Sequence, residues 1–579
     1  MGSGEYGREW KWGLVDFDLV IRNGSVIDGT GSLRVVADIA VSDGRISRIG
    51  EVPERGQVEI DAGGYVVTPG FIDGHTHMDA QVFWDAAGTN SCWHGVTTVV
   101  MGNCGFTIAP VRADAHHLAV RSIERSEDIS AAAMAAGVPW DWTTFAEYLD
   151  SIDRVPKAIN YASNIGHSAL RSWAMGERAF REQADAADLD CMKSELADAL
   201  RAGAWGFTTS RTVHHMTPDG DPVASRLANW SEVEELIGLM GELDSGVFQF
   251  VEDPPSDAER IARDQELARL AASSGVPFII GATSGSTRPL ELIAETTSLG
   301  GTMTGMTHPR GISTMSSFMS QLPFDMLPEW AAARSDGQEA FLQRLREPET
   351  RLVLIEAAQN AQYDATYGGE ARPPVFDRMH VLDSPVPPHR TVAEIAAERG
   401  IDPVQAMVEI GLESNFEVFF VQTMSPFDEK AVLRSMKSPG TVMTFSDSGA
   451  HVSQMSDASI FTHLLAYWVR DRGEFTLEEA IEMMTSAPAQ AWGFTDRGVL
   501  REGMVADINI FDPDTVAPAL PTLAHDLPAG ARRIVQKSTG FLATVVAGEI
   551  TVRDGRSTGA TPGRLLRGKP RSKTGKVNK

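Results

Sequence analysis

Apolar and polar positions change rhythm twice along the chain. From residue 17 to residue 68, β-branched residues alternate with polar ones in FDLVIRNGSVIDG, VVADIAVSDGRISRIG and GQVEIDAGGYVVTPG, and the runs break at Asn23-Gly24, Asp43-Gly44 and Gly63-Gly64. Period-two alternation punctuated by turn residues predicts hairpin strands. The same texture returns in GVLREGMVADINIFDP and GFLATVVAGEITVRDGR near the other end. Those late strands have no sequence neighbours to pair with. The economical arrangement is one small composite β-sandwich built from both termini, residues 17–68 with 497–560.

Between the ends, residues 69–496 follow a different pattern. Short apolar runs at Gly95–Gly102, Ala158–Ile165, Ala204–Thr209, Gly246–Val251, Val276–Ala282, Gly301–Met306 and Thr441–Ser446 alternate with amphipathic stretches such as Leu189–Ala202 and Ser231–Leu243. Strand–helix alternation on this scale predicts an α/β class with parallel strands, most simply a TIM-like (β/α)8 barrel. The spacing is uneven. Residues 105–157, 208–230 and 309–440 hold more chain than a crossover needs, so they read as insertions at the catalytic face. The Pro-rich stretch Arg372–Arg390 reads as irregular loop. The segment 561–579 carries a run of Lys and Arg and reads as a solvated, disordered basic tail.

Composition narrows the function classes. At 579 residues the chain exceeds one compact core unless an enlarged barrel absorbs most of it. A net charge of −27 argues against non-specific binding of nucleic acid or an anionic membrane. The three cysteines, Cys92, Cys104 and Cys191, cannot all pair, which favours a reducing compartment. The start lacks an apolar signal core, and no apolar run reaches the roughly 20 residues a membrane helix needs. The expected setting is cytoplasmic, with a small-molecule substrate and with a homo-oligomer compatible with the sequence.

Candidate chemistry sits at the strand ends. In Gly70-Phe-Ile-Asp-Gly-His75-Thr-His77, the two imidazoles lie two apart on an extended segment and so share a face. Imidazole favours Zn²⁺ and similar ions. Cys104 follows the apolar run Gly95–Gly102 between glycines, where its thiolate could ligate the same ion or bridge two. Asp447 follows another apolar strand and suits a ligand that also accepts a proton from a metal-activated water. His167 ends a predicted strand and could donate to an oxyanion. His214, His215 and His308 lie in loops after strands, where His215 and His308 could contact substrate, and Arg211 or Arg310 could grip a substrate carboxylate bidentately.

The segments DLVIRNGSVIDGTG, VVTPGFIDGHTHMD, HGVTTVVMGNCGF, NIGHSALR, GAWGFTTS, SDSGAHV and EEAIEMMTSAPAQAWGFTDRGVLREGMVADINIFDP resemble the amidohydrolase superfamily. Within it they are most similar to the D-aminoacylase (N-acyl-D-amino-acid deacylase) family, over residues 17 to 566. The resemblance implies a metal-bearing β/α-barrel with a terminal β-sandwich, and Zn²⁺-dependent hydrolysis of an amide. By position, His75 and His77 match that family's HxH pair, Cys104 its metal-binding cysteine and Asp447 its metal-bound general acid/base. The family usually supplies one histidine from each of strands five and six. Here those strands carry Gln249 and Phe250, and Phe278 to Gly281, without histidine. The expectation is therefore one ion held by His75, His77, Cys104 and Asp447, with two ions as the alternative should His167, His214, His215 or His308 substitute for the missing imidazoles. Rival readings are cyclic-amide, lactone or carbamate hydrolysis, deamination, or a barrel that serves as a non-catalytic scaffold.

Overall fold

The computed structural model describes residues 16–252, 256–283, 286–363, 372–455 and 457–571. Strands from both ends of the chain share one nine-stranded sheet. Early strands at Phe17–Val26, Val35–Ser42, Arg45–Gly50, Gly56–Asp61 and Val66–Pro69 meet late ones at Ile508–Phe511, Phe541–Val546, Glu549–Arg553 and Arg556–Ser557. The join is antiparallel, with Val67 opposite Ile510 and Thr68 opposite Asn509. Alternation sets which side chains are buried here: Leu19, Ile21, Ile39, Val41, Val67, Ile508, Ile510, Ala543 and Val545 form one core beneath the sheet.

Eight parallel strands follow in chain order: Phe71–Asp73, Val96–Met101, Asn160–Ser163 continued by Ile165–Gly166, Gly206–Ser210, Val247–Val251, Phe278–Gly281, Met303–Thr307 and Thr441–Met443. Each pairs with its neighbour in that succession, and only Asn164 separates the two sheets they form. At the far ends of the first and eighth strands, His77 N donates to Ser448 O at 2.8 Å and Asp447 N to His75 O at 3.1 Å. Seven strands each give one side chain to a shared cluster, namely Ile72, Val100, Ala162, Val247, Ile279, Met306 and Val442.

The connecting helices form for local reasons. Asp185 caps Ala186–Ala202 through a capping box with Asp188, and Gly203 ends it at φ 114°. Its buried residues Met192, Leu196, Ala199 and Leu200 recur at helical spacing and face the strands.

Residues 309–440 build their own hydrophobic core, with Phe318, Trp330, Phe341, Met407 and Phe420 fully buried or nearly so. A three-stranded antiparallel sheet runs through it. One of its strands is Met379–Leu382, so the stretch from Arg372 to Arg390 is not all loop: it pairs with Phe419–Thr423 despite the flanking prolines. The basic tail also departs from expectation. Leu565–Leu566 adds a parallel strand beside Tyr161 and Ala162, Arg567 pairs with Asp150 at 2.6 Å, and Arg571 donates to Gly246 O at 2.8 Å. One buried and one half-buried leucine and two specific cation contacts tie down what charge count alone marks as disordered. Residues 572–579 lie outside the described residues. Among the described residues, no helix is long and apolar enough to cross a membrane.

Candidate metal centre

The segment after the first parallel strand is held on both sides. Gly74 packs so closely on Trp492 that a Cβ would lie 2.3 Å from its ring, and a Cβ at Gly449 would lie 2.7 Å from the backbone of His77. Thr76 Oγ1 donates to Val100 O at 2.9 Å. His75 and His77 thereby present their rings to one point, 5.3 Å apart between centroids. Cys104 and Asp447 reach the same point from left-handed backbone, at φ 53° and 50°. Non-glycine residues held there cost roughly 1–3 kcal/mol each and cluster at functional sites.

His75 Nε2 lies 3.0 Å from Asp447 Oδ1 and 3.6 Å from Cys104 Sγ, and His77 Nε2 lies 3.6 Å from Asp447 Oδ1. The ligand atoms of His75, His77 and Cys104 all fall within 4.8 Å of one another. Burial pushes His77 down to about 4, so its imidazole is neutral at pH 7. Burial also pushes Asp447 up, but the His75 and His77 hydrogen bonds outweigh it and hold the carboxyl well below the ordinary range. Burial, with Glu127 and Asp447 nearby, pushes the Cys104 thiol well up. Two imidazoles, a carboxylate and a thiol that a cation would ionise are a donor set suited to a borderline transition ion. Glu127 adds a second sign of fit. It is 1 % exposed, and its Oε1 has no hydrogen-bond partner.

Gln249, on the fifth parallel strand, sets its side-chain amide 2.9 Å from His75 Nδ1. For His75 Nε2 to offer its lone pair, Nδ1 must carry the hydrogen and Gln249 must accept it through its amide oxygen. A flip of the amide permits this at the same position. Gln249→Leu removes that orienting bond. It is expected to weaken metal affinity by about 10–100-fold, the usual cost of losing an outer partner of a ligating histidine. Metal-buffer titration checks this, and an unchanged affinity would show that Gln249 does not orient the ring.

A model of the amidohydrolase family matches residues 58–552. The chain belongs to the amidohydrolase family. It is 28% identical to the D-aminoacylase of Alcaligenes xylosoxydans xylosoxydans over 568 residues, covering 95% of this chain and 97% of that one. To the N-acyl-D-aspartate deacylase of the same organism it is 27% identical, covering 95% of each chain. Among solved structures it superposes on the N-acyl-D-glutamate deacylase from Bordetella bronchiseptica, complexed with zinc and a phosphonate mimic of the tetrahedral intermediate. The TM-score is 0.63 at 25% identity, covering 95% of this chain and 99% of that one. A D-aminoacylase structure concerned with a binuclear metal centre gives a TM-score of 0.63 at 24% identity, covering 95% and 100%. This chain is a D-aminoacylase-like enzyme with an α/β fold.

In this amidohydrolase a cavity of about 410 Å³ opens over His77, Cys104 and Asp447, and His214 and His215 line it too. The other expected residues lie elsewhere. His167 is fully buried, with Nδ1 on Thr209 Oγ1 at 2.8 Å and Nε2 on Glu232 Oε1 at 2.7 Å, so both ring nitrogens already have partners. Arg211 is taken by Glu252 at 3.1 Å and by Ala228 O. Arg310 pairs with Asp457 at 2.7 Å and His308 lies 3.3 Å from the same carboxylate. Arg310 and Asp457 help line another cavity, whose lining includes none of His75, His77, Cys104 and Asp447. Each of these side chains already faces a carboxylate, Glu232, Glu252 or Asp457. Conversely, Glu127, His451, Gln249 and Arg372 surround or line the centre without having stood out in the sequence. His451 falls in the SDSGAHV segment, and Gln249 stands where a histidine was sought. Glu127 and Arg372 come from insertions and give no signal.

Proposed function

We propose that the eight parallel strands close as a (β/α)8 barrel beside a composite domain of residues 17–68 and 497–560. We further propose that the barrel's mouth hydrolyses the amide bond of an N-acyl amino acid-like substrate. The convergence of His75, His77, Cys104 and Asp447 at the mouth carries this reading, because those donors suit Zn²⁺ and one of them can also move a proton. The bonds between His77 and Ser448 and between Asp447 and His75 support closure at the point where the first and eighth strands meet. Three unpaired thiols suit a cytoplasmic setting.

His75, His77, Cys104 and Asp447 would hold the first ion. When bound, it supplies a Lewis acid and a hydroxide source at neutral pH. Asp447 uses Oδ1 toward the two imidazoles, which leaves Oδ2 to take a proton from the attacking water and return it to the departing nitrogen. Gln249 orients His75, and the buried walls around the rings exclude bulk water.

Arg372 supports a substrate that carries a carboxylate. Its guanidinium lines the cavity, and its Nε is buried without a partner. Burial pushes its pKa down, which an anion would oppose. Arg372→Ala is expected to raise KM for an N-acyl amino acid about 10–100-fold, from the roughly 1.5–3 kcal/mol of a charged hydrogen bond. Hydrolysis of an N-acyl amine without the carboxylate should barely change. Equal effects on both substrates would remove Arg372 from carboxylate recognition.

The whole reading is tested by assaying the Zn²⁺-loaded and chelator-stripped protein on a panel of N-acyl-D- and N-acyl-L-amino acids beside cyclic amides. Metal-dependent release of free amino acid is the expected result. Turnover confined to cyclic amides, or unaffected by stripping, would overturn it.

A further inference from the structure

The three-stranded sheet within residues 309–440 uses its two faces differently. Ser313–Ser316 pairs with Phe419–Thr423, which pairs with Met379–Leu382. Val381 and Phe420 belong to the insertion's own core. Period-two alternation therefore turns Ser313, Met315, Val421, Thr423, His380 and Leu382 to the opposite face. All six line a cavity of about 270 Å³. That is far more than the roughly 10–15 Å³ that holds one water. The cavity shares no lining residue with the one over the metal centre. Thr314, between Ser313 and Met315, lines that other cavity, so a single strand divides the two.

A further wall comes from the helix after the eighth parallel strand. Ile460–His463 is α-helical, and Leu464–Asp471 continues it as a π-helix. Such turns are rare and recur at functional sites. His463 and Tyr467 both line the cavity, with their rings 5.4 Å apart between centroids. Trp468 Nε1 donates to Pro309 O at 2.6 Å, which pins this helix beside the end of the seventh strand.

The lining combines an apolar body with an uneven charge. Pro385, Pro387, Pro388 and Phe427 supply rigid apolar surface. Arg310, His380, His389 and His463 stand against one acid, Asp457. In a chain where acids outnumber Lys and Arg by 78 to 51, that local balance is inverted. Arg310 already meets Asp457 at 2.7 Å, and His389 Nε2 lies 2.9 Å from Ser384 O. His463 differs from them. It is 2 % exposed, and its Nδ1 has no hydrogen-bond partner. Burial, with Arg310, His308 and His389 adding to it, pushes its pKa well below the usual value. A nearby anion would oppose that shift and supply the missing partner.

We propose that this cavity is a second small-molecule site, which takes a monocarboxylate on a short hydrocarbon or aryl body. A few convergent polar groups in a largely apolar, enclosed lining are what such sites share. The basic side chains would face the carboxylate, and the prolines and the sheet would face the apolar body. Binding here does not depend on amide hydrolysis at the metal centre.

The test uses full-length protein stripped with a chelator, so that no metal at the other cavity attracts the carboxylate. Isothermal titration with hexanoate and with phenylacetate is expected to show one equivalent bound. Val421→Phe narrows the cavity and His463→Leu removes the unpartnered nitrogen. Each is expected to weaken Kd more than about 10-fold, the scale of one lost charge-assisted hydrogen bond or of a comparable steric cost. The neutral phenylacetamide should bind more weakly than phenylacetate by a similar factor. Arg372→Ala, in the other cavity, should leave Kd unchanged. The melting temperature of each variant confirms folding. Crystals soaked with 4-bromophenylacetate give a readout that needs no variant, with the bromine anomalous peak expected between His463 and Val421. Absent binding, affinity unchanged in both Val421→Phe and His463→Leu, or affinity lost in Arg372→Ala would overturn the site. So would a bromine peak confined to the cavity over His77 and Asp447. Equal affinity for phenylacetamide would overturn the carboxylate preference. Hydrolysis assayed on metal-loaded protein is a separate measurement, so these failures and a failure of the hydrolytic reading are distinguishable.

Discussion

Asp447→Asn is expected to lower kcat by about 10²–10⁴-fold, the range that general acid–base groups contribute. The substitution keeps an oxygen in place but removes the charge and the ability to carry a proton. Because Asp447 touches both imidazoles, at 3.0 and 3.6 Å, two causes must be separated. If Asp447 served only to hold an ion, the loss would follow metal content and saturating Zn²⁺ would recover it. If it transfers a proton to the leaving nitrogen, the loss persists at full metal occupancy. It also shrinks on substrates whose amine departs readily, such as N-acyl anilides with electron-withdrawing groups. Steady-state kinetics across a leaving-group series, with metal content measured on the same samples, distinguishes the two. Turnover near wild type at full occupancy would remove Asp447 from proton transfer.

The parts of this centre that could be read in the sequence share one property: they sit at the ends of short apolar strands. Strand periodicity aligns His75 with His77, and the apolar runs before Cys104 and Asp447 place them at the same ends of the parallel strands. The terminal strands were equally legible, since turn residues mark their ends and their lack of sequence neighbours forces a long-range pairing. The residues that escaped sit in irregular chain. Glu127 lies in a polar loop whose composition is that of a solvated surface, and its burial depends on His451, whose backbone N donates to Glu127 O at 2.5 Å across 324 positions. Arg372 reaches the cavity from an insertion with its own core, where no spacing rule applies. Leu565–Leu566 is too short to register as a strand and forms one only because Tyr161 and Ala162 offer an edge. His167 shows the converse failure. Its position at a strand end is what a catalytic residue would have, yet Thr209 on a strand and Glu232 on a helix bond its two ring nitrogens, with Arg171 on the same Glu232 carboxylate, and only the fold reveals that both sides of the ring are claimed.

That buried triad carries the largest expected effect on stability. Arg171 is fully buried and Glu232 is 5 % exposed; Arg171 Nη1 lies 2.6 Å from Glu232 Oε2, His167 Nε2 lies 2.7 Å from Oε1, and Arg171 Nη2 donates to Glu182 O at 2.7 Å. Removing one partner of a buried pair strands the other charge. Glu232→Ala is therefore expected to destabilise the fold by about 3–5 kcal/mol, whereas Glu232→Gln, which keeps the shape and one acceptor, should cost less. Burial alone would raise the Glu232 pKa, but His167 and Arg171 bring it from 4.5 down to about 2. A depressed folded-state value means that this carboxylate stabilises the protein above its unfolded pKa, and that the contribution is lost as pH falls through the folded value. Wild-type melting temperature should consequently fall across pH 4.5 to 2 by more than that of Glu232→Gln, which lacks this titration. Differential scanning fluorimetry at a fixed scan rate over that window gives the comparison. Equal slopes would mean that acid sensitivity arises elsewhere. Activity measured well below the melting temperature supplies the control on His167: a turnover loss in Glu232→Gln at unchanged metal content would return that histidine to the reaction, because Glu232 holds one of its two ring nitrogens.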